Sequence, residues 1–308
     1  MAQKKYPVIS KLRKLLFNPY CTFLNRIADK ADGKFLETSK AGYRMCLVTV
    51  AYNKPDLIKA KIEFVKDNIT DKDYVHIVLD NSSNRHARKA IKEACFDGCA
   101  TYIPVPHYFH IFFLPRLFWY GVSEGMALNW FCRKILPSIN PRYLAITDQD
   151  LFPLRKYSVI DKLENKPFYG VGRQRETGWY LWPGFIAFDC QVLQKPKFDF
   201  MPCFFEGCYF DTGGRNFINI FKDYSIGLSM LAHVKTKRYA YGKDDNTLNI
   251  YHRDCIQIID NAWLHLINGS NYAHLKNKER IIDHIMNHIK TMPLPDNDLS
   301  LQEQESKH

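Results

Sequence analysis

The chain has 308 residues, of which 46% are hydrophobic, enough to bury the core of one large α/β domain or of two small ones. Lys and Arg number 43 against 32 Asp and Glu, and the formal net charge of +11 favours anionic partners. No stretch has the pattern of an RNA- or DNA-binding module, so we expect a nucleotide and an anionic membrane surface, and no nucleic acid. Nine cysteines scattered from Cys21 to Cys255 lack the spacing of a zinc site or a disulfide framework, which favours free thiols.

The first forty residues form a basic and partly amphipathic leader. Four cations between Lys11 and Arg26 alternate with leucines and phenylalanines. A basic helix of this kind can lie in a membrane interface, and an ordinary helix packed on the main domain is the alternative interpretation. The most apolar run, 109–122, is interrupted by Pro115 and Arg116 and is too short to span a bilayer, and the start lacks a signal-peptide core. We therefore expect a cytoplasmic protein, peripheral on the inner face of the plasma membrane.

Apolar strands then alternate with helical segments. Residues 45–51 are almost continuously apolar, which is typical of a strand buried on both faces, and Pro55 opens a helix with an apolar face from Ile58 to Ile69. The pattern next predicts a strand over 74–79, a helix closed by Asp97-Gly98, a strand over 100–105, and a helix over 122–136 that stops at Pro137. This alternation predicts βαβ units, and hence an α/β fold with a mostly parallel sheet flanked by helices.

The next short strand, 143–146, ends in two carboxylates one residue apart, Asp148 and Asp150, and Pro153 follows. Alternate residues of a strand point the same way, so both acids can face one pocket, where hard oxygen ligands suit Mg²⁺ or Mn²⁺ carrying a diphosphate. A loop with two solvated acids is the alternative. In an open parallel sheet the carboxyl ends of the strands form the ligand crevice. Four successive strand ends here carry Asn53, Asp80, Pro104 and the acid pair.

The second half has a less regular pattern. Aromatic and glycine-rich segments at 169–172, 179–189 and 210–214 are typical of a pocket wall or lid, and residues 215–234 look helical. Ile282, Ile285 and Ile289 lie on one face of a last helix. The expected divisions are the leader 1–40, with a linker over 31–40, a main domain 41–292 and a polar, disordered tail 293–308. The main domain divides into a nucleotide-binding half, 41–153, and an acceptor half, 154–292.

Four motifs in sequence order carry a family resemblance. Residues 47–57, Leu-Val-Thr-Val-Ala-Tyr-Asn-Lys-Pro-Asp-Leu, are similar to the opening strand, turn and helix of family-2-like glycosyltransferases with the GT-A fold. Residues 78–83 resemble the second strand end of these enzymes, and Gly-Met-Ala-Leu-Asn at 125–129 resembles the G-x-A-x-N helix before their metal motif. Asp148-Gln-Asp150 takes the D-x-D position. The match covers roughly 44–153 well and the acceptor half loosely. It implies a GT-A, Rossmann-like sheet and metal-dependent sugar transfer from a nucleotide diphosphate sugar.

The resemblance also assigns roles on the donor side. Asp80 would bind the nucleoside, with a cap of the following turn as the alternative. Asp148 and Asp150 would hold Mn²⁺ or Mg²⁺ on the diphosphate, with His265 as a third ligand and His252 as its rival. The residues expected around the donor nucleotide are Val50, Ala51, Tyr52, Asn53, Asp80, Asn81, Asn129, Asp148 and Gln149.

An inverting transferase also needs a base to deprotonate the acceptor hydroxyl. Asp211, followed by Thr-Gly-Gly, is the first candidate, with Glu206 and Asp189 as rivals. A helix cap is the alternative interpretation of Asp211. Indole rings can stack on a sugar face, although aromatic core packing explains them equally well. The residues expected on the acceptor side are Trp179, Trp182 and Gly184.

The leader carries a second resemblance. Residues 11–23 are similar to the basic starts of bacterial capsule and lipopolysaccharide glycosyltransferases, which act on lipid-linked glycans at the cytoplasmic face of the inner membrane. The expected reaction is therefore inverting transfer, from a UDP-sugar by preference, to a glycan or lipid-linked glycan acceptor. A sugar-1-phosphate nucleotidyltransferase is the first alternative, and the glycine-free loop 51–54 argues against it. A non-catalytic basic nucleotide- or membrane-binding scaffold is the other.

Overall fold

The computed structural model describes residues 7–33, 42–112, 121–163, 166–194, 196–223, 236–241 and 252–266. The helices are α1 (Pro7–Lys30), α2 (Pro55–Asn68), α3 (Arg85–Asp97), α4 (Val122–Lys134), α5 (Leu136–Ile139), α6 (Val159–Leu163) and α7 (Arg215–Asn219). Short 3₁₀ helices cover His107–Phe112 and Phe221–Asp223. The strands are β1 (Met45–Ala51), β2 (Tyr74–Asp80), β3 (Thr101–Pro104), β4 (Tyr143–Asp148), β5 (Leu151–Pro153), β6 (Phe168–Arg175), β7 (Gly178–Asp189), β8 (Cys203–Phe205), β9 (Cys208–Phe210), β10 (Thr236–Tyr241), β11 (His252–Ile259) and β12 (Trp263–Leu266).

The central sheet has the order β3-β2-β1-β4-β7-β6, in which the first four strands are parallel. Alternate residues of β1 enter two different cores. Cys46 and Val48 pack with α1 and α4 on one face, whereas Met45 and Leu47 pack with α2 and α6 on the other. Burial on both faces explains the unbroken apolar run of β1. The expected α/β class, with a mostly parallel sheet flanked by helices, is confirmed.

Helix α1 is built into the core of the sheet. Phe17, Cys21, Leu24 and Ala28 follow a 4-3-4 spacing, and all four are fully buried. The side chain of Asn129 in α4 donates to Asp199 at 2.8 Å and to Asn25 of α1, and its oxygen accepts from the backbone N–H of Phe200 at 2.7 Å. These buried hydrogen bonds join α1, α4 and the segment before β8.

A second, four-stranded sheet has the order β10-β11-β12-β5 and is antiparallel. Strand β5 begins directly after Asp150, so the acid pair lies at the junction of the two sheets. The backbone N–H of Leu266 donates to the carbonyl of Asp150 at 2.9 Å, and His265 pairs with Leu151. The second sheet therefore brings β12 against the end of β4.

Several predicted elements differ from those observed. The segments 169–172 and 179–189, expected as a pocket wall or lid, lie in β6 and β7, two antiparallel strands of the central sheet, and therefore do not form a lid. The helix predicted over 215–234 ends at Asn219, and 224–234 lie outside the described residues. The helix that begins at residue 122 ends at Lys134. Pro137 lies instead in the first turn of α5, where a backbone N–H has no helical partner.

Ala31, expected in a linker, is 2% exposed and packs in the core of α1 and α4. The predicted last helix and the tail 293–308 lie outside the described residues. The eight cysteines whose side chains are described are free thiols, as expected. Within the described part of the chain, no helix has the length and apolar character needed to cross a bilayer.

Candidate active site

The carboxyl ends of four parallel strands form one edge of the central sheet. Val50 pairs with Asp148, Ala51 pairs with Asp80, and Asp80 pairs with Pro104, so these strand ends lie in a row. Val50 and Ala51 themselves are buried within β1. The expected convergence of strand ends is therefore present, and the polar residues that follow each strand face the same edge.

The loops after β1 and β4 are tied together. The side chain of Gln149 accepts from the backbone N–H of Tyr52 at 2.8 Å and donates to the carbonyl of Tyr52 at 3.3 Å. Asn53 has a positive φ of 52°. Its backbone N–H donates to the hydroxyl of Ser82 at 2.8 Å. Tyr52 remains 43% exposed beside this framework. Its ring is thus presented at the crevice on a fixed backbone.

Asp80 is fully buried at the end of β2. Its carboxylate accepts from the Ser82 backbone N–H at 2.9 Å and from the Tyr102 hydroxyl at 2.8 Å, and it lies 3.6 Å from the Arg88 guanidinium. The carboxylate therefore fixes the turn after β2. The next residue, Asn81, donates to the Ser123 hydroxyl at 2.8 Å and so links this turn to α4. Asn129 faces α1 instead and is fully buried there.

Asp148, Asp150 and His265 form a group with the geometry of a metal site. One ligand atom from each side chain lies within 4.8 Å of the others. His265 Nε2 lies 3.8 Å from Asp150 Oδ1, and His265 Nδ1 lies 3.2 Å from Gln257 Oε1. An amide oxygen only accepts, so Nδ1 donates to Gln257, and this contact turns the Nε2 edge of the ring toward the acids. Two carboxylates and an oriented imidazole fit Mn²⁺ or Mg²⁺.

A buried lysine supports the turn that carries the two aspartates. Lys61 of α2 is fully buried, and its Nζ donates to the carbonyl of Asp148 at 3.2 Å and to that of Leu151. The ammonium also lies 5.0 Å from the centroid of the Trp263 ring. Burial lowers the pKa of Lys61 to about 7, although the nearby charges of Asp148 and Asp150 favour the cation.

Glu124, in the first turn of α4, adds a third carboxyl to the acid pair. It shares a hydrogen bond with Asp148, and burial together with the charges of Asp148, Asp211 and Asp150 raises the pKa of Glu124 well above its ordinary value. Burial also raises the pKa of Asp148 to about 6, against the opposing effects of Lys61 and Glu124. The raised pKa of Glu124 favours its protonated form, which can donate a hydrogen bond to Asp148.

These pKa values give metal binding a definite pH dependence. A cation needs the ionised carboxylate of Asp148, so we expect Mn²⁺ affinity to rise by about tenfold per pH unit below pH 6 and to level off above it. Isothermal titration with Mn²⁺ from pH 5 to pH 8 measures this rise. Glu124→Gln keeps a donor toward Asp148 and should leave the midpoint in place. An affinity that is constant between pH 5 and pH 7 would contradict the assignment.

Of the three candidate bases, the structure brings only Asp211 to the acid group. Asp211 follows β9, is exposed, and its charge acts on both Glu124 and Asp148. Its Oδ1 accepts from the Thr212 backbone N–H at 2.8 Å. A Cβ added to Gly121 would lie 2.5 Å from the same oxygen, so the glycine lets this loop approach the start of α4. Helix α7 begins only after Gly214, so Asp211 does not cap it.

The two rival bases lie elsewhere. Glu206 is exposed in the turn between β8 and β9, at the other end of the hairpin from Asp211. Asp189 pairs with Tyr143 at the start of β4, whereas the acid pair lies at the end of this strand, and Asp189 bonds to Arg142 at 3.0 Å. The side chain of His252 lies outside the described residues.

The expected acceptor-side residues divide into two groups. Trp182 lies at the site, with its ring 4.7 Å from that of His265 and 5.2 Å from the Arg173 guanidinium. A Cβ added to Gly184 would lie 2.6 Å from Asp148 Oδ2 and 2.0 Å from the Trp182 ring, so the glycine makes room for both. Trp179, in contrast, stacks on Phe221 in the core, with 4.9 Å between the ring centroids. This agrees with the alternative interpretation, which was aromatic core packing.

Three residues of the site were missed by the sequence analysis. The sequence does contain a signal from which Lys61 could have been found. The residue falls between Ile58 and Ile62 on the apolar face of α2, where a lysine must be buried with partners. Glu124 directly precedes the Gly125 motif, but one acid in a first helical turn is common. Gln257 has no local signal, since only the pairing of β11 with β12 places it beside His265.

Comparison with known proteins adds a likeness of fold. No family model matches the chain, and no curated protein has a significantly similar sequence. A mannosyltransferase from Pyrobaculum calidifontis, solved with GDP-Man and Mn²⁺, is 15% identical, with a TM-score of 0.35 over 61% of this chain and 57% of its own. The galactosyltransferase LgtC, solved with donor and acceptor sugar analogues, is 15% identical, with a TM-score of 0.35 over 48% and 59%. The chain thus spans less than two thirds of either structure, and the likeness assigns no residue a role.

Proposed function

We propose that the protein is a metal-dependent glycosyltransferase that takes its sugar from a nucleotide diphosphate sugar. The observation that carries the proposal is the group of Asp148, Asp150 and His265, within 4.8 Å of one another at the carboxyl end of a parallel sheet. A bound Mn²⁺ or Mg²⁺ would neutralise the diphosphate as the bond to the sugar breaks. Tyr52 and Asn53, at the end of β1, are proposed to bind the nucleoside, together with the turn that Asp80 fixes.

The acceptor side of the proposed reaction rests on Asp211. It is exposed, it ends the β8–β9 hairpin beside α4, and its charge reaches Asp148, so it can take a proton from a hydroxyl group placed over the acid group. Glu124 shares a hydrogen bond with Asp148, so its carboxyl is less available for that role. Trp182 supplies an apolar ring against which a sugar can stack. Direct attack by a hydroxyl deprotonated in this way would invert the anomeric carbon.

The finer assignments are part of the same proposal and rest on the motif resemblance. UDP is the favoured nucleotide, and the proposed acceptor is a glycan or lipid-linked glycan in capsule or lipopolysaccharide synthesis. The nucleotidyltransferase alternative is disfavoured, because it would need free backbone donors after β1 to grip a triphosphate. The backbone N–H groups of Tyr52 and Asn53 are already bound to Gln149 and Ser82.

Ligand-induced stabilisation tests the proposal. We expect one of UDP, GDP, dTDP and CMP to raise the melting temperature when Mn²⁺ is present, and not with EDTA. A ligand that binds only the folded state adds about 2.7 kcal/mol at a hundredfold excess over its dissociation constant. Mn²⁺ alone is the control for metal binding without nucleotide. If no nucleotide stabilises the protein in Mn²⁺, the transferase proposal fails and the scaffold alternative gains support.

A further inference from the structure

The outer face of α1 exposes large apolar side chains. Leu15, Leu16 and Phe23 are 73%, 49% and 51% exposed, whereas Phe17 and Leu24 on the opposite face are fully buried. A helix that only served to pack on the domain would carry polar residues on its outer face. Leu15, Pro19 and Phe23 follow one another at intervals of four, so they form a stripe along one side of the helix.

Positive charge accompanies this stripe. Arg26 lies three residues after Phe23, and Lys30 lies four residues after Arg26, so both continue the stripe. Lys14 lies beside the stripe, and all three side chains are exposed. In the sequence of α1 the cations are Lys11, Arg13, Lys14, Arg26 and Lys30, against one acid, Asp29. That acid is bonded to Arg133 of α4 at 2.5 Å. Apolar side chains flanked by cations on one helix face match the chemistry of an anionic lipid surface, with acyl chains beneath charged headgroups.

Helix α1 is also fixed rigidly to the acceptor side of the candidate site. Asn18 and Phe204 of β8 form a reciprocal pair, in which the Asn18 amide donates to the Phe204 carbonyl at 2.8 Å and accepts its N–H at 2.9 Å. Arg215 donates to the Asn18 carbonyl at 3.0 Å and to the Thr22 hydroxyl at 3.2 Å. The β8–β9 hairpin ends at Asp211, so any surface bound by α1 is held in a constant relation to that residue.

We propose that the outer face of α1, defined by Lys14, Leu15, Leu16, Pro19, Phe23, Arg26 and Lys30, docks on a bilayer that contains anionic phospholipid. The apolar stripe enters the interface while the cations bind the headgroups. Since α1 is hydrogen-bonded to the β8–β9 hairpin that leads to Asp211, docking orients the acceptor side of the site toward a substrate carried by the membrane. The docking itself needs neither nucleotide nor metal, so it is independent of the proposed function.

Vesicle cosedimentation tests this proposal. We expect the protein to bind phosphatidylcholine vesicles with about 30% phosphatidylglycerol at least about tenfold more strongly than pure phosphatidylcholine vesicles. Leu15→Ser with Phe23→Ser should lower binding to the anionic vesicles by about tenfold or more, since both apolar anchors are lost. Arg26→Glu with Lys30→Glu should lower it similarly and abolish the preference for anionic lipid. The matched control is Phe96→Ser, because Phe96 is 87% exposed on α3, away from this face, and its loss should change nothing.

Other outcomes would overturn the proposal. Equal binding of wild type and Leu15→Ser/Phe23→Ser, or no binding to anionic vesicles, excludes a lipid-docking role for α1. If the wild type forms a dimer in solution that the same double variant dissociates, and vesicles are not bound, the face is an interface between two copies. If the double variant instead melts at a clearly lower temperature without any vesicle binding, another segment of this chain covers the face. A nucleotide-induced shift in melting temperature is unaffected in each case, so the two proposals fail separately.

Discussion

Asp150→Ala is expected to abolish the Mn²⁺-dependent stabilisation by nucleotide and to lower sugar transfer by on the order of a thousandfold or more. The carboxylate of Asp150 is 4% exposed and lies 3.8 Å from His265 Nε2, between the two sheets of the fold. Among the described residues, Asp148 and His265 already belong to the same group, so neither is free to replace the lost ligand. Melting curves with each nucleotide in Mn²⁺ or EDTA, and donor hydrolysis or transfer assays, measure the two effects.

A variant at a surface acid is the control for Asp150→Ala. Asp161 is exposed in α6, and Asp161→Ala removes the same charge from the protein without touching the site. It should behave as the wild type in both assays. His265→Ala should weaken Mn²⁺ binding while leaving the acid pair in place, and we expect a smaller loss than for Asp150→Ala. The metal assignment would be wrong if Asp150→Ala kept a nucleotide shift that EDTA abolishes.

The parallel half of the fold could be predicted from the sequence because its signals are local. A strand buried on both faces reads as an unbroken apolar run, as in Met45–Ala51, and Pro55 marks the start of the following helix. The acids after β4 were found in the same way, as a polar break at the end of an apolar strand. Parallel topology then places successive strand ends at one edge, so their convergence needed no knowledge of side-chain packing.

The second half could not be predicted in the same way, because its elements depend on pairing between distant segments. Strand β7 pairs with β4 and β6 in antiparallel register, and its aromatic residues pack into two cores. The sequence pattern alone therefore indicated a pocket wall or lid. Strand β5 has three residues and is defined only by its partner β12. His265 was proposed from the family resemblance alone. Its geometry follows from that pairing, which also sets Gln257 beside it.

Lys61 is an exception to the amphipathic pattern of α2, and this exception marks a residue that supports the candidate metal site. A lysine on the apolar face of a helix contradicts the amphipathic pattern unless buried acceptors compensate for it. Here the compensating groups are the carbonyls of Asp148 and Leu151, at both ends of the turn that presents the acid pair. The side chain therefore connects the packing of α2 to the geometry of the candidate metal site.

Lys61→Met should accordingly be costly, although methionine fills a similar volume. It leaves two buried carbonyl oxygens without their donor, and we expect a loss of about 2–4 kcal/mol in the free energy of unfolding at pH 6. The turn that holds Asp148 and Asp150 would loosen, which should weaken metal-dependent nucleotide binding by about ten- to a hundredfold. Urea unfolding in EDTA measures the first effect. Lys66→Met, an exposed lysine on the same helix, is the control and should change stability by less than about 0.5 kcal/mol.

The pH dependence of this variant separates a buried cation from an ordinary packing contact. In the wild type the pKa of Lys61 is lowered to about 7 in the folded protein, so the unfolded chain binds more protons between pH 7 and pH 10. The free energy of unfolding should therefore gain a contribution from Lys61 that grows as pH rises through this range. Lys61→Met lacks that contribution, and its stability should rise less with pH than that of the wild type or of Lys66→Met. Parallel pH profiles for all three proteins would mean that the folded state leaves the pKa of Lys61 near its ordinary value, and that the loss at pH 6 came from packing alone.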